Sequence, residues 1–578
     1  MLKMTRGITA AVLLGGAAFI GGAAVPAMAA DMVTADQLNK ADKNSKDWLS
    51  YRGSYLDYNY SGLAQINTAN VKNLEVAWIH TPGRSKFGLQ STPLVADGVL
   101  YYTGSYSRVF ALDGATGTVL WSFFPELDEA LIAKQTHTPY NRGLAISNGK
   151  VYVGTVDGRL FGLDMKTGKK VWETKLIDSK KVTIGFTGAP LAVKDLVIIG
   201  GQGGEWPTRG SIFAVKADTG EKVWEFNPVA PDDKAKETWG NDSWKVGGGG
   251  AWQPGTYDPK TNTIWWGTSN PAPLFDWAGD KWQTDGARPG DNLYTSSVVA
   301  LDADTGKLKF FHQEIPHDEW DFDSAVGEFL MIDRGGKPLV VHPNKSGYVF
   351  VYNRADASVA NVWRATENSN FVKDIDPKTG ALIGRTSEIE GDNKDICPSF
   401  TGALGWPSGS YSPKTGLFYR AVAEACMNLK VKKTTPILEP QAQLFVGAEF
   451  AVHGPNGGKP YGHVDARDPI TGKLKFSIKY PEGILASVMV TGGNVLFVPD
   501  TRGWIHAYDA TTGKELWKHN DGDGHAGGIM SYEAGGKQYV AVEAGWGPLS
   551  GFGYAPTYGA PYTSMSMESG QLVVYALK

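Results

Sequence analysis

The chain has 578 residues, with 56 Lys plus Arg against 60 Asp plus Glu and a net charge of −4, a balance that leaves no electrostatic footprint for nucleic acid. Charged residues at 20% and hydrophobic ones at 42% fit a soluble globular protein with a full core. The 72 glycines and 19 tryptophans are high counts, and they point to tight turns between short strands rather than to helices.

The first thirty residues differ from the rest. Lys3 and Arg6 give a positive start, Ile8 to Val25 is apolar, and Ala27-Met28-Ala29 is a small-x-small cleavage site. Residues 1–30 therefore read as a secretory signal peptide, with an uncleaved anchor as the alternative. Its removal takes the charge from −4 to −6. No later apolar run is long enough to cross a bilayer, so the expectation is an exported periplasmic protein without a membrane span. The remaining 31–578 are expected to form a single domain.

Repeats organise that domain. A Thr-Gly pair followed four residues later by an aromatic occurs at Thr116-Gly117 with Trp121, Thr167-Gly168 with Trp172 and Thr219-Gly220 with Trp224. It returns at Thr305-Gly306 with Phe310, Thr471-Gly472 with Phe476 and Thr512-Gly513 with Trp517. Each pair suits a tight turn with positive φ, and each follows a β-rich run such as Lys150-Val-Tyr-Val-Gly-Thr. The aromatics Trp121, Trp172 and Trp224 are spaced by 51 and 52 positions, and Phe476 and Trp517 by 41. Periods of this size point to a propeller or solenoid, and the roughly 548 residues after the signal accommodate an all-β, eight-bladed propeller of four-stranded antiparallel blades, each aromatic packing on its neighbour. The polar stretches 231–245 and 360–395 read as loops within blades, not as linkers between two sandwiches.

Three segments in the middle of the chain break the repeat. They are Gly200-Gly-Gln-Gly-Gly-Glu205-Trp206, then Gly247-Gly-Gly-Gly-Ala-Trp252 with Thr268-Ser-Asn270-Pro-Ala-Pro273, and Pro316-His-Asp-Glu-Trp-Asp321-Phe-Asp323. Glycine clusters admit a flat ligand close to the backbone, and Trp252 offers a stacking face. Glu205, Asn270, Asp321 and Asp323 are hard oxygen donors suited to a Ca²⁺-like cation, although acidic loop residues can also be merely solvated. Cys397 and Cys426, 29 apart, are the only cysteines. In an oxidising compartment an even count favours one disulfide, the alternative being two free buried thiols. No Cys-x-x-Cys-His occurs, so the chain carries no covalent c-type haem.

On these strings, together with Arg288-Pro-Gly-Asp-Asn292 and Asp395-Ile-Cys397-Pro-Ser, the sequence resembles the quinoprotein alcohol dehydrogenases, the soluble methanol and ethanol dehydrogenase family. The resemblance covers essentially the whole chain after residue 30. It implies an eight-bladed propeller that binds pyrroloquinoline quinone (PQQ) and one metal ion. By position it implies Glu205, Asn270 and Asp321 as metal ligands, with Asp321 also the catalytic base. Trp252 resembles the floor under the quinone, and Arg142, Thr187, Gly203 and Gly204 its polar contacts. Lys345 resembles the cation beside the quinone carbonyls, and the Cys397–Cys426 pairing resembles the family disulfide. Asp323, two positions after Asp321, is similar to the lanthanide-dependent members and favours a lanthanide(III) over Ca²⁺.

The implied reaction is oxidation of primary or secondary alcohols, with Asp321 taking the hydroxyl proton and a separate soluble cytochrome c receiving the electrons. The chain also departs from the family. Thr136-His137 stands where many members place an adjacent Cys pair, Gln90 where methanol dehydrogenases have Glu, and Gly405 where many have Asn. Leu485 falls near a usual pocket tryptophan, and Trp546 is a candidate wall residue. These changes suggest a roomier site and a broad alcohol range. Polyol or sugar oxidation is the alternative, and a non-enzymatic propeller scaffold of the outer-membrane assembly type is the rival from another class.

Overall fold

The computed structural model describes residues 32–134, 139–182, 184–547, 555–559 and 566–578. The signal peptide expected at 1–30 and the Thr136-His137 pair lie outside these residues. Among the described residues no helix is long and apolar enough to cross a membrane.

Among the described residues the repeats fold into seven antiparallel sheets of four strands and one of five, in which Tyr60–Ser61 is a parallel edge strand. In the second of these, Ala145–Ser147, Lys150–Gly154, Arg159–Asp164 and Lys170–Lys175 pair in simple succession. Burial explains why the strands read differently in the sequence. Val151, Tyr152 and Val153 are all fully buried, because neighbouring sheets cover both faces of the inner strands. The outer strand Lys170–Lys175 has one covered face, and only Trp172 in it is buried.

Every one of the eight sheets has a β-bulge where the outer strand pairs with its inner neighbour, as between Ala111 and Leu112 or between Lys170 and Trp172. The bulge adds local twist beside the outer-strand aromatic. That aromatic then lies on the turn glycine of the next sheet. A Cβ on Gly168 would come within 2.4 Å of Trp121, one on Gly220 within 2.5 Å of Trp172, and one on Gly306 within 2.6 Å of Trp224. The glycines therefore serve two needs at once, positive φ and room for a ring. Each indole also donates onward, from Trp121 to Met165 O at 3.0 Å and from Trp172 to Ala217 O at 3.0 Å. Trp78 and Trp363 belong to the same series, resting on Gly117 and Gly472. The sheet of Trp363 escapes the sequence pattern because Ala357, at φ 56, takes the glycine's place in its turn and the aromatic follows six residues later rather than four.

The ends of the chain close the structure. Strand Leu74–His80 pairs with the last strand, Gln571–Leu577, so that Leu74 faces Leu577. Two strands that follow Ile529–Ala534 in sequence thus share a sheet with one from the start of the chain. Sheets docked face to face by aromatics and sealed by a strand from the opposite terminus form a β-propeller. The stretch 360–395 is more than a loop. It carries the hairpin Asp374–Ile375 with Leu382–Ile383, and it begins the strand Gly391–Ile396. The latter pairs with Cys426–Val431, and Cys397 and Cys426 form a disulfide at its end.

Candidate active site

The sheets share one geometric rule. Gln90 stands four residues before the inner strand Leu94–Ala96, Arg142 three before Ala145–Ser147, and Thr187 four before Leu191–Val193. Trp252 stands four before Thr256–Asp258, Trp406 four before Ser410–Ser412, and Leu485 four before Met489–Thr491. Asp321 and Asp323 lie on the corresponding entry to Leu330–Arg334. Chain entries into successive inner strands gather at one end of a propeller, so residues far apart in sequence converge there.

The segment of Asp321 is held by a buried polar frame. Arg288 donates through Nη2 to Asp318 O at 2.6 Å and through Nη1 to Asn292 Oδ1 at 2.9 Å. Ser296 Oγ donates to Asp318 Oδ2 at 2.7 Å, and Arg385 Nη2 to Glu319 Oε2 at 2.7 Å. The Pro-His-Asp-Glu and Arg-Pro-Gly-Asp-Asn strings thus serve as scaffolding. Within this frame Asp321 adopts φ 64, a left-handed conformation that Asp tolerates better than bulkier residues.

Lys345 sits in the turn between Lys337–Pro343 and Tyr348–Asn353 and reaches both carboxylates. Its Nζ is 2.8 Å from Asp321 Oδ2 and 3.2 Å from Asp323 Oδ1. Trp252 Nε1 donates to the other oxygen of Asp323 at 3.2 Å. Arg142 donates through Nη1 to Thr187 Oγ1 at 2.9 Å. Its guanidinium carbon lies 4.7 Å from the Trp252 ring, 5.1 Å from Trp406 and 4.5 Å from Tyr140. A planar cation is therefore lodged among three aromatic rings, in geometry suited to cation–π attraction. Trp406 and Tyr140 were not foreseen as site residues, although the inner-strand rule would have found Trp406.

Electrostatics mark the same place. Burial pushes the Asp321 carboxyl well above the usual range; Lys345 pulls it back, while Asp323 and Glu205 push it further up. The Glu205 carboxyl is likewise raised by burial, with Lys345 opposing and Asp323 adding. For Lys345 burial works against the charge, but Asp321 and Asp323 outweigh it and its pKa lies above the ordinary value. Three carboxylates face one ammonium here, so the group has room for further positive charge.

The donor set fits a hard cation in part. Asn270 Oδ1 and Asp321 Oδ1 are buried without a hydrogen-bond partner, the condition in which an oxygen gains most from an ion. Asn270 is oriented by donating through Nδ2 to Gly204 O and Pro271 O, both at 3.0 Å. Among the described residues, however, no three His, Cys, Asp or Glu side chains converge closely enough to hold an ion by themselves. Any site would have to include the Asn270 amide oxygen. The glycine clusters have a different use from the one expected. A Cβ on Gly204 would lie 2.4 Å from Asn270 Oδ1, and one on Gly250 2.9 Å from Gly203 N. Their bareness lets two loops pack against each other, and the space beside them is filled by protein.

Beside Trp406, whose ring faces the Arg142 guanidinium, opens a narrow cleft of about 30 Å³. Gln90, Gly405 and Leu485 line it, as the departures from the family suggested, together with Trp406, Arg420 and several alanines. Trp546 is not among the lining residues; it is buried against Tyr558 and Met567.

A propeller whose inner-strand entries gather a half-buried tryptophan, a lysine-bridged pair of aspartates and orphaned oxygens beside a cleft has the groups that a bound metal and a flat polar cofactor need. The family model described as "PQQ: Glucose/ethanol/alcohol dehydrogenase, beta-propeller domain" matches residues 48–369 and 457–540. The chain belongs to this family. It is 35% identical to a quinohemoprotein alcohol dehydrogenase of Comamonas testosteroni, over 94% of this chain and 79% of that protein. It is 34% identical to methanol dehydrogenase [cytochrome c] subunit 1 of Methylorubrum extorquens, over 94% and 92% of the two chains. Among solved structures a europium-containing methanol dehydrogenase superposes with a TM-score of 0.85 at 31% identity, over 94% of this chain and all of that one. The resemblance read from the sequence is borne out, and the non-enzymatic scaffold reading falls away.

Proposed function

We propose that the protein is a PQQ- and metal-dependent alcohol dehydrogenase of broad range, exported to the periplasm and passing electrons to a separate cytochrome c. The observation that carries the reading is the Lys345 ammonium bridging Asp321 and Asp323, with Trp252 hydrogen-bonded to the latter. We also infer that each of the eight sheets is one blade of a single domain spanning 31–578. Export rests on the signal-like residues 1–30. The acceptor reading rests on the cysteines: both are in the disulfide, which leaves none in this chain to attach haem.

When bound, the quinone would accept a hydride equivalent and the metal would polarise its reacting carbonyl. Trp252 would offer a stacking face, and Arg142, Thr187, Gln90 and the backbone at Gly203 and Gly204 would supply the quinone's polar contacts. The Arg142 guanidinium now rests over the Trp252 ring, so stacking there requires it to move aside. Glu205, Asn270, Asp321 and Asp323 would hold the metal. Asp321 would take the hydroxyl proton of the alcohol; Lys345 opposes the pull of burial on that carboxyl and adds positive field at the reacting end, and a bound cation would add to that opposition. The cleft walls of Gly405, Ala421, Ala526, Ile484 and Leu485 are apolar, with Gln90 and Thr401 as the polar side chains besides the engaged Arg420, which favours simple alcohols over polyols or sugars.

Asp323 favours a lanthanide, because a trivalent ion offsets the repulsion among Glu205, Asp321 and Asp323 better than Ca²⁺ does. One observation favours calcium instead. Asp323 Oδ2 accepts from Trp252, and Oδ1, which has no hydrogen bond, stands 3.2 Å from the Lys345 ammonium, so the carboxylate already has a protein countercharge without an ion. Reconstitution of metal-free protein with PQQ plus La³⁺ or Ca²⁺, followed by dye-linked alcohol oxidation, tests the reading. Turnover is expected with PQQ and metal together and with neither alone. Quinone uptake without alcohol oxidation under either metal would refute it.

A further inference from the structure

Arg420 lies within the strand Leu417–Glu424 and is 4% exposed. It lines the cleft, but its donors turn away from the open space. Nη1 donates to Pro407 O and Nη2 to Gly405 O, the two carbonyls that flank Trp406. From behind, Glu328 Oε2 stands 3.5 Å from Arg420 Nε. Glu328 is 1% exposed and neither of its carboxylate oxygens has a hydrogen-bond partner, so the guanidinium provides its nearby countercharge. The fork thus grips a three-residue segment at both ends and is itself fixed by a buried carboxylate. A guanidinium can make this two-point contact because its donors are coplanar and rigidly spaced; an ammonium cannot.

The gripped segment matters because Trp406 faces the Arg142 guanidinium, 5.1 Å from its ring, while Trp252 lies 4.7 Å away on another side. Gly405 has no side chain to anchor it, and its added Cβ would meet only Pro407. The segment is also tied at Ser408, by Arg52 and Ser487, but Arg420 is the side chain that holds the carbonyls on both sides of Trp406. We infer that Arg420 is a positioning residue, which with Glu328 fixes Trp406 as the cleft wall and thereby sets which alcohols fit. The inference rests on the proposed alcohol oxidation at this site.

The test is a double-mutant cycle in the PQQ- and metal-loaded enzyme with 1-butanol as substrate. Arg420→Met and Trp406→Phe are each expected to raise KM about 10-fold through misplacement of the wall. The quinone absorbance should stay unchanged and kcat should hold within about twofold. The double variant should fall no further than the worse single one, since both changes remove the same contact. If Arg420→Met does not fold, Arg420→Lys keeps a charge opposite Glu328 without the fork, and the same rise in KM is expected. Additive effects, or an unchanged KM in a quinone-loaded Arg420 variant, would overturn the inference. A wild type that takes up quinone yet oxidises no alcohol would refute the functional reading instead.

Discussion

Replacing Asp321 by Asn is the most direct probe of the proposed chemistry. The amide keeps the side chain's shape, and Asn accepts the φ of 64 found here at least as readily as Asp. The fold should therefore survive. What changes is charge and basicity. Lys345 loses its 2.8 Å carboxylate partner but keeps Asp323 at 3.2 Å, so the ammonium stays in place. Two carboxylates, Glu205 and Asp323, remain beside it for a cation. Removing a general base typically costs 10²–10⁴-fold, or about 3–5 kcal/mol in the barrier. The assay is single-substrate turnover of the reconstituted variant, normalised to quinone absorbance and to metal content, so that loss of cofactor is separated from loss of chemistry. Retention of more than about a tenth of wild-type turnover at equal loading would remove Asp321 from the base role.

Replacing Asp323 by Ala should abolish a preference for La³⁺ over Ca²⁺ in reconstituted turnover; full wild-type activity with calcium and none with lanthanum would refute the lanthanide assignment. Replacing both Cys397 and Cys426 by Ser opens a loop with a separation of 29 residues, and the loop-closure model puts the loss at about 3–4 kcal/mol. Chemical denaturation should register it as a lower midpoint, whereas identical unfolding curves would show that the bond adds no stability.

The sequence by itself determined the architecture, because the features that specify it are local and repeated. A Thr-Gly turn and an aromatic four residues on recur at Trp121, Trp172 and Trp224, and each copy needs only its neighbour to be satisfied. The cysteine pairing was also within reach, since two cysteines allow one intramolecular bond. Asp321, Trp252 and Lys345 were named through whole strings of residues, and the structure brings them into one network.

Tertiary structure alone decided what depends on distant segments. Trp406 and Arg142 are far apart in the chain, and their contact arises only because inner-strand entries converge at one end of the propeller. The glycines at 203–204 and 248–250 looked like ligand-approach positions, yet loop packing claims their space. Arg420 reads from sequence as one more charged residue in a strand. Its meaning comes from two carbonyls thirteen and fifteen positions earlier and a glutamate on the chain entry to another sheet. Local pattern encodes the blade, but a site built from the ends of many blades exists only once the ring has closed.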